Sequence, residues 1–429
     1  MSLSVTLFLA SFFLLLLIGA PTYLCLLAGS LVYFFFHPEI SSMMIMQKMY
    51  GSLDSFVLLA VPLFMISGNL MNRGGITERI FSFAKSMVGH MRGGLGHVNV
   101  LASFIFSGMS GSALADVGGL GQVEIAAMKA ESYEDDIILG ITAASSTMGP
   151  IVPPSIPMVV YGAIASISVG GLFIGGVLPG VIMLITLCCT VYVVAHKRQY
   201  PVQARCTWKE RWHSLQRSFL ALLMPFVTMG GIWTGWFTPT EAALISIVYV
   251  TIVMMLVYKE LNPKEIIEVF YETAAGFVPA LTIVVASSLF GWVLQFERID
   301  KMLIELFFSI TDNKYIILLF LNILLLFCGM ILDSTPVILL FVPLFLPLGK
   351  ELGVHEIQMG VIVVLNLMIG LMTPPIGQSL FILSSVTGNS FEYVVKCTYK
   401  WLLPLLIVLL LVTYVSGVTM WLPTLMGLA

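Results

Sequence analysis

The sequence predicts an all-α polytopic membrane protein of about eleven transmembrane helices plus two re-entrant helical hairpins. Three observations carry that prediction. Of 429 residues, 59% are hydrophobic and 10% charged, against roughly a quarter charged in an ordinary soluble domain; the mean hydropathy is +1.01. Apolar stretches long enough to span or re-enter the bilayer fall near 3–36, 54–71, 95–115, 137–169, 171–195, 219–237, 241–258, 274–296, 315–349, 356–386 and 401–422. Several exceed one span and carry prolines, Pro150, Pro153, Pro154 and Pro157 in one, Pro336, Pro343 and Pro347 beside Asp333 in another. These read as broken helices or hairpins.

The elements follow in chain order. The stretch before Lys48 has no basic residue and an apolar run far longer than a signal-peptide core, so it is expected to remain in the mature protein. Residues 73–94 and 297–314 each hold Glu-Arg-Ile (Glu78-Arg79-Ile80, Glu297-Arg298-Ile299) followed by apolar residues at one helical spacing. Both read as amphipathic helices lying along the interface, as paired arms joining a moving part to a static one. The one sizeable polar loop, 196–217, has six Lys or Arg and one Glu, which places it in the cytoplasm and leans the N-terminus outward.

Sliding the chain against itself exposes a duplication. Pro21-Thr22 meets Pro239-Thr240 at an offset of 218, Glu78-Arg79-Ile80 meets Glu297-Arg298-Ile299 at 219, and two pairs match at 221. Those two are Phe106-x-Gly108-Met109 with Phe327-x-Gly329-Met330, and Pro153-Pro154 with Pro374-Pro375. Internal repeats of this kind characterise secondary transporters, whose sites lie where the repeats meet.

Within the repeats, SFIFSGMSGSALADVGGLG (103–121) and SSTMGPIVPPS (145–155) put an oxygen-rich, glycine-rich tip beside a proline-broken helix. An unpaired backbone group in hydrocarbon costs several kcal/mol, so such irregularity survives where it lines a cavity or coordinates something. A proline removes its own N–H and clashes with the carbonyl four residues back. Pro153 is thus expected to free the Gly149 carbonyl, and Pro374 that of Gly370. Such cages suit a hard cation, and the intramembrane acids Asp116 and Asp333 point to function.

Other classes fare poorly. The net charge of −3 gives no field for nucleic acid. Cys25, Cys188, Cys189, Cys206, Cys328 and Cys397 lack metal-like spacing and read mostly as small buried hydrophobes. Gly108-Met109-Ser110-Gly111 resembles the nucleophile motif of rhomboid intramembrane serine proteases, but no histidine sits mid-span to serve Ser110. No G-x-x-x-x-G-K-[ST] string occurs, so transport is expected to draw on an ion gradient.

By SGMSGSALAD (107–116), MGPIVPPS (148–155), GWFTPTEAA (235–243) and LMTPPIGQS (371–379), the chain resembles the large membrane subunit of tripartite ATP-independent periplasmic (TRAP) transporters, the DctM-like family. The resemblance covers essentially the whole chain and leans toward the sialic-acid branch. It implies a non-enzymatic, multi-pass protein of the bacterial inner membrane, built as an elevator of inverted repeats. It also implies a sodium-driven importer of organic acids, of the sialic acid or C4-dicarboxylate class. Expected partners are a periplasmic substrate-binding protein and a small four-helix membrane subunit, here a separate chain. The alternatives are a stand-alone ion-coupled anion carrier and, much further off, an intramembrane serine hydrolase.

The implied organisation is scaffold helices over 1–72, an arm over 73–94, and a transport-domain segment with hairpin and broken helix over 95–195. The cytoplasmic loop and second scaffold follow over 196–296, then a second arm over 297–314, the second transport segment over 315–390 and a C-terminal helix over 391–429. Carried over residue by residue, Na⁺ would bind at least two sites. The first comprises Ser107, Ser110, Gly149, Val152 and Pro154; the second comprises Gly329, Asp333, Gly370, Thr373 and Ile376. Cys328 stands where the first repeat has Ser107, removing one hard ligand. Substrate would lie near Asp116, Ser155, Asp333 and Gln378.

Overall fold

The computed structural model describes residues 2–200 and 202–428, and within them the only regular elements are helices. The first half runs α1 (Leu3–Leu17), α2 (Thr22–Phe36), α3 (Ser42–Leu53), α4 (Ala60–Arg73), α5 (Ile76–Val88) and α6 (Gly94–Ser110). A short α7 (Ala113–Ala115) passes through a π turn, Asp116–Leu120, into α8 (Gly121–Ala130). Then come α9 (Asp135–Ser146), α10 (Ile156–Ala165) and the long α11 (Val169–Lys197). The second half runs α12 (Trp208–Trp233), α13 (Pro239–Ile252, continued by a π stretch to Tyr258), α14 (Pro263–Phe296), α15 (Ile299–Ile310), α16 (Lys314–Ile331), α17 (Ser334–Glu351), α18 (Glu356–Leu371) and α19 (Gln378–Thr387). Three C-terminal pieces close the chain: α20 (Phe391–Thr398), α21 (Leu402–Tyr414) and α22 (Ser416–Leu425). The C-terminal segment is thus interrupted, its backbone turning at Val415.

Among the described residues, seven helices are long and apolar enough to cross a membrane, and shorter apolar helices supply further membrane-embedded segments. The shortness is systematic: α9, α10, α18 and α19 are two broken pairs, each member spanning part of what one rod would span.

The FTPTEAA stretch shows why these residues make a helix start here. Thr238 Oγ1 accepts from Glu241 N–H at 3.3 Å while Glu241 Oε2 accepts from Thr238 N–H at 2.8 Å, a reciprocal capping box with Pro239 at the first helical position. Thr207/Glu210 and Asn262/Glu265 start α12 and α14 in the same way. Replacing Thr238 by alanine is expected to lower stability by about 1 kcal/mol, read as a fall in the unfolding midpoint in detergent.

Polar ties join the two halves. α4 packs on α13, and Ser67 Oγ meets Ser246 Oγ at 2.5 Å. Asn69 donates to Thr273 Oγ1 at 2.9 Å, and Arg73 pairs with Glu268 and Glu272 at 3.0 and 2.7 Å on α14. α2 also packs on α14, where Tyr33 donates to Glu297 at 2.5 Å. These contacts make α1–α4 and α12–α14 one body.

A second group of helices packs around α6, α9, α11, α16 and α18, and it is tied to the first by α5 on α12 and α17 on α14. In each half an asparagine on the hairpin helix binds the broken helix: Ser145 donates to Asn99 Oδ1 at 2.8 Å, and Asn366 donates to Asn322 Oδ1 at 2.7 Å. Ser145 and Asn366 stand 221 apart, the offset of the duplication. The halves also exchange partners, α10 packing on α17 while α19 packs on α7 and the π turn.

The loop end of α11 is clamped to α9. Arg198 forks onto Glu134 and Asp136, the latter at 2.6 Å, and its guanidinium holds the Asp136 carboxyl below the usual carboxylate range. A depressed folded-state value contributes stability above the unfolded value and loses it as pH falls through the folded one. The wild type is therefore expected to show a stability loss at acidic pH that Arg198→Ala lacks, measurable by unfolding midpoints across a pH series.

Candidate ion and substrate site

The first tip is built at the end of α6. Gly111 stops that helix in the left-handed region, φ 62°, and a Cβ there would stand 2.6 Å from the Pro154 carbonyl oxygen, so only glycine fits. Ser112 caps the returning helix, its Oγ accepting from Ala115 N–H at 3.3 Å. Beside it the chain is non-helical over 147–155 before Ser155 starts α10. The loop is locked to the tip, because Ile156 N–H donates to the Gly111 carbonyl at 3.3 Å and Gly149 abuts Ser112.

The second half repeats this construction. α16 ends at Ile331, Asp333 caps α17 by accepting from Ser334 N–H at 2.7 Å, and the chain is non-helical over 372–377. Ile376 N–H donates to the Met330 carbonyl at 3.2 Å, and Gly370 lies directly against the Gly329 backbone. Both breaks carry their proline pair as a cis bond.

The expected free carbonyls are met unequally. Among the described residues no backbone N–H donates to the Gly149 carbonyl, whereas the Gly370 carbonyl accepts from Thr373 N–H at 2.9 Å. The chain tightens into an i→i+3 turn as α18 ends, so proline releases Gly370 only in part. Ser110 Oγ is buried and meets no partner among the described residues, while Ser107 Oγ donates to the Ser103 carbonyl at 2.6 Å. Thr373 Oγ1 donates to the Ile369 carbonyl at 2.7 Å.

Ser107, Ser110, Gly149, Val152 and Pro154 thus gather at one tip and Gly329, Asp333, Gly370, Thr373 and Ile376 at the other. No cluster of three His, Cys, Asp or Glu exists among the described residues. The donors on hand are hydroxyls, carbonyls and one carboxylate, a set for a hard cation rather than a soft transition metal.

The two tips differ in cover. The first is enclosed: Gly68 of α4 abuts Ser110, Pro225 of α12 abuts Gly108, and Gly176 and Gly180 of α11 abut Ile151 and Val152. At the second, Pro374 and Pro375 are exposed and Ile376 is 39% exposed. Of the residues expected near substrate, Asp333 and Gln378 are half-buried, with surface to offer. Asp116 and Ser155 are fully enclosed and turned inward, Ser103 donating to Asp116 at 3.1 Å and Ser155 bonding the Pro150 carbonyl. For Asp116 the enclosure has a local cause: its turn folds back on α6 and is covered by α5, α9 and α19.

A cavity of about 630 Å³ opens between the two groups of helices, walled by α3 and α14 on one side and α10 and α17 on the other. Its size suits a small organic acid, and Lys48 is the one charged side chain among its lining residues. Sequence reasoning missed this cavity, the asparagine ties and the buried Glu124, which a plain helical spacing of eight would set about 80° away from Asp116.

A helical membrane protein whose two halves each carry a broken helix at matching positions has the architecture of a secondary transporter. The chain belongs to the DctM component family of tripartite ATP-independent periplasmic transporters, whose pattern it matches over residues 9–418. It is 45% identical over 379 residues to the sialic acid TRAP transporter large permease SiaM of Vibrio cholerae, covering 88% of this chain and 89% of that protein. To the sialic acid TRAP transporter permease SiaT of Haemophilus influenzae it is 41% identical, over 95% of this chain and 66% of that longer one. To the C4-dicarboxylate permease DctM of Pseudomonas aeruginosa it is 36% identical, over 94% of each. The fold is shared with the Alcanivorax borkumensis YdaH transporter at a TM-score of 0.62 and 14% identity, over 96% of this chain and 98% of that one. The chain is therefore a TRAP transporter large permease, a multi-pass inner-membrane protein and not an enzyme. The serine string at 108–111 is a hairpin tip.

Proposed function

We propose that the chain is the transport subunit of a sodium-driven, binding-protein-dependent importer of small organic acids, with sialic acid favoured over C4-dicarboxylates by the relatives' names and identities. The single observation that carries the reading is the matched pair of tips, each a hairpin end bonded to a proline-broken helix. Sodium at Ser107, Ser110, Gly149, Val152 and Pro154, and at Gly329, Asp333, Gly370, Thr373 and Ile376, would balance the exposed oxygens. The acid binds beside Asp333 and Gln378, entering through the cavity at Lys48. The second group of helices then slides against α1–α4 and α12–α14. An unloaded site would press uncompensated polar groups against an apolar wall, at several kcal/mol, so only the loaded body crosses readily. A small four-helix membrane subunit flanks the static body, and a periplasmic binding protein delivers the acid.

The test is uptake of sialic acid and of succinate into proteoliposomes holding this chain with its small subunit, with and without each cognate binding protein. The expected result is uptake that needs an inward sodium gradient and the binding protein. Equal uptake without sodium defeats the coupling, and equal uptake without the binding protein favours a stand-alone anion carrier.

A further inference from the structure

Behind the first tip lies a pair of acids that the ion sites do not use. Asp116 and Glu124 are both 0% exposed. In a plain α-helix, residue i+8 lies about 80° past residue i. The Asp116–Leu120 turn is π-helical, closed by Gly121 N–H to the Asp116 carbonyl, and its slower winding takes up that excess. Glu124 is thereby brought round to the Asp116 face of this helix, whose π turn and following residues pack on α6.

The donors stop at Asp116. Ser145 gives its proton to Asn99, so the single Ser103 proton faces two acceptors at 3.1 Å, Ser145 Oγ and Asp116 Oδ1, and a carboxylate is the stronger acceptor of the two. Among the described residues, Asp116 Oδ2 and both Glu124 carboxyl oxygens meet no donor, and neither acid joins an ion pair.

The other ionisable groups on the packed elements are few. On α5, Glu78 takes the Thr77 hydroxyl, Arg79 pairs with Glu260, and Lys85 pairs with Glu131 at 3.3 Å. On α9, Asp136 is held by Arg198 with Asp135 beside it, and on α8 Lys129 lies in the last turn. His97 is buried on α6, while α7 and α19 carry none.

We propose that Asp116 and Glu124 form a proton-binding site inside the second group of helices, with the proton on Glu124 and Asp116 as the anion. A carboxyl walled off from water, with no donor and no cation beside it, holds a proton rather than a charge. Asp116 has a hydroxyl donor and sits in the first turn of the helix running from Ala113, where negative charge is favoured. Glu124 has neither, and a proton, unlike a metal ion, needs no cavity. The inference stands apart from the sodium sites.

Infrared spectra of the full chain in lipid nanodiscs at neutral pH test it, without any transport assay. A carbonyl band of a protonated carboxylic acid is expected, shifted by ¹³C-glutamate labelling but not by ¹³C-aspartate labelling. It should vanish in Glu124→Gln and persist in Asp333→Asn and His97→Gln. Absence of the band, a shift with labelled aspartate, or survival of the band in Glu124→Gln overturns the proposal. The labelled wild type alone decides the matter should Glu124→Gln not fold.

Discussion

Replacing Gly370 by alanine is expected to abolish sodium-driven uptake. The added Cβ would stand 2.5 Å from the Gly329 carbonyl carbon, 2.7 Å from its Cα and 2.9 Å from its oxygen. All three are backbone atoms of the facing hairpin, which cannot rotate away as a side chain would. The tip must open, separating the Gly329 and Gly370 carbonyls that the proposed second sodium site needs together. Overpacking of this kind costs about 1–3 kcal/mol, enough to lower the unfolding midpoint without preventing assembly. Gly276→Ala is the matched control, because nothing lies within 4 Å of its Cβ position and it sits within α14. That change should leave uptake intact and hold or raise stability by about 0.5–1 kcal/mol. Equal uptake by the two variants would refute close backbone contact at the second tip.

Asp333→Asn separates charge from architecture. Asp333 caps α17, and asparagine caps equally well, so the bond from Ser334 N–H survives and the unfolding midpoint should hardly move. The carboxylate charge is what disappears. A charge-assisted contact is worth about 1.5–3 kcal/mol, so the sodium concentration for half-maximal uptake should rise by roughly ten- to a hundredfold. Unchanged sodium dependence would remove Asp333 from the site. A collapse of stability instead would assign it a structural role alone.

The architecture was legible in the sequence where chemistry marks it. The clustered prolines announced both breaks, the offsets of 218 to 221 announced the duplication, and FTPTEAA turned out to be a capping box with proline at its first helical position. What stayed hidden depends on winding and neighbours. Bringing Glu124 round to the Asp116 face needs a π turn, which leaves no mark in apolar periodicity. The rule that proline frees the carbonyl four back held for Gly149 but only partly for Gly370, since the turn that follows supplied another donor. The unequal cover of the tips follows from α4, α11 and α12 lying over the first, and a self-comparison of the sequence does not contain those contacts.

The central claim is that two proline-broken tips hold sodium, and thermal unfolding of the purified chain as sodium replaces choline at fixed ionic strength tests it most directly. A ligand bound only by the folded state stabilises it in proportion to the logarithm of its saturation. The account predicts a midpoint that climbs with sodium and not with choline or potassium, and a flat response when Ser110→Ala and Thr373→Ala are combined. A midpoint indifferent to which cation is present, or a sodium response undiminished in the double variant, would contradict it.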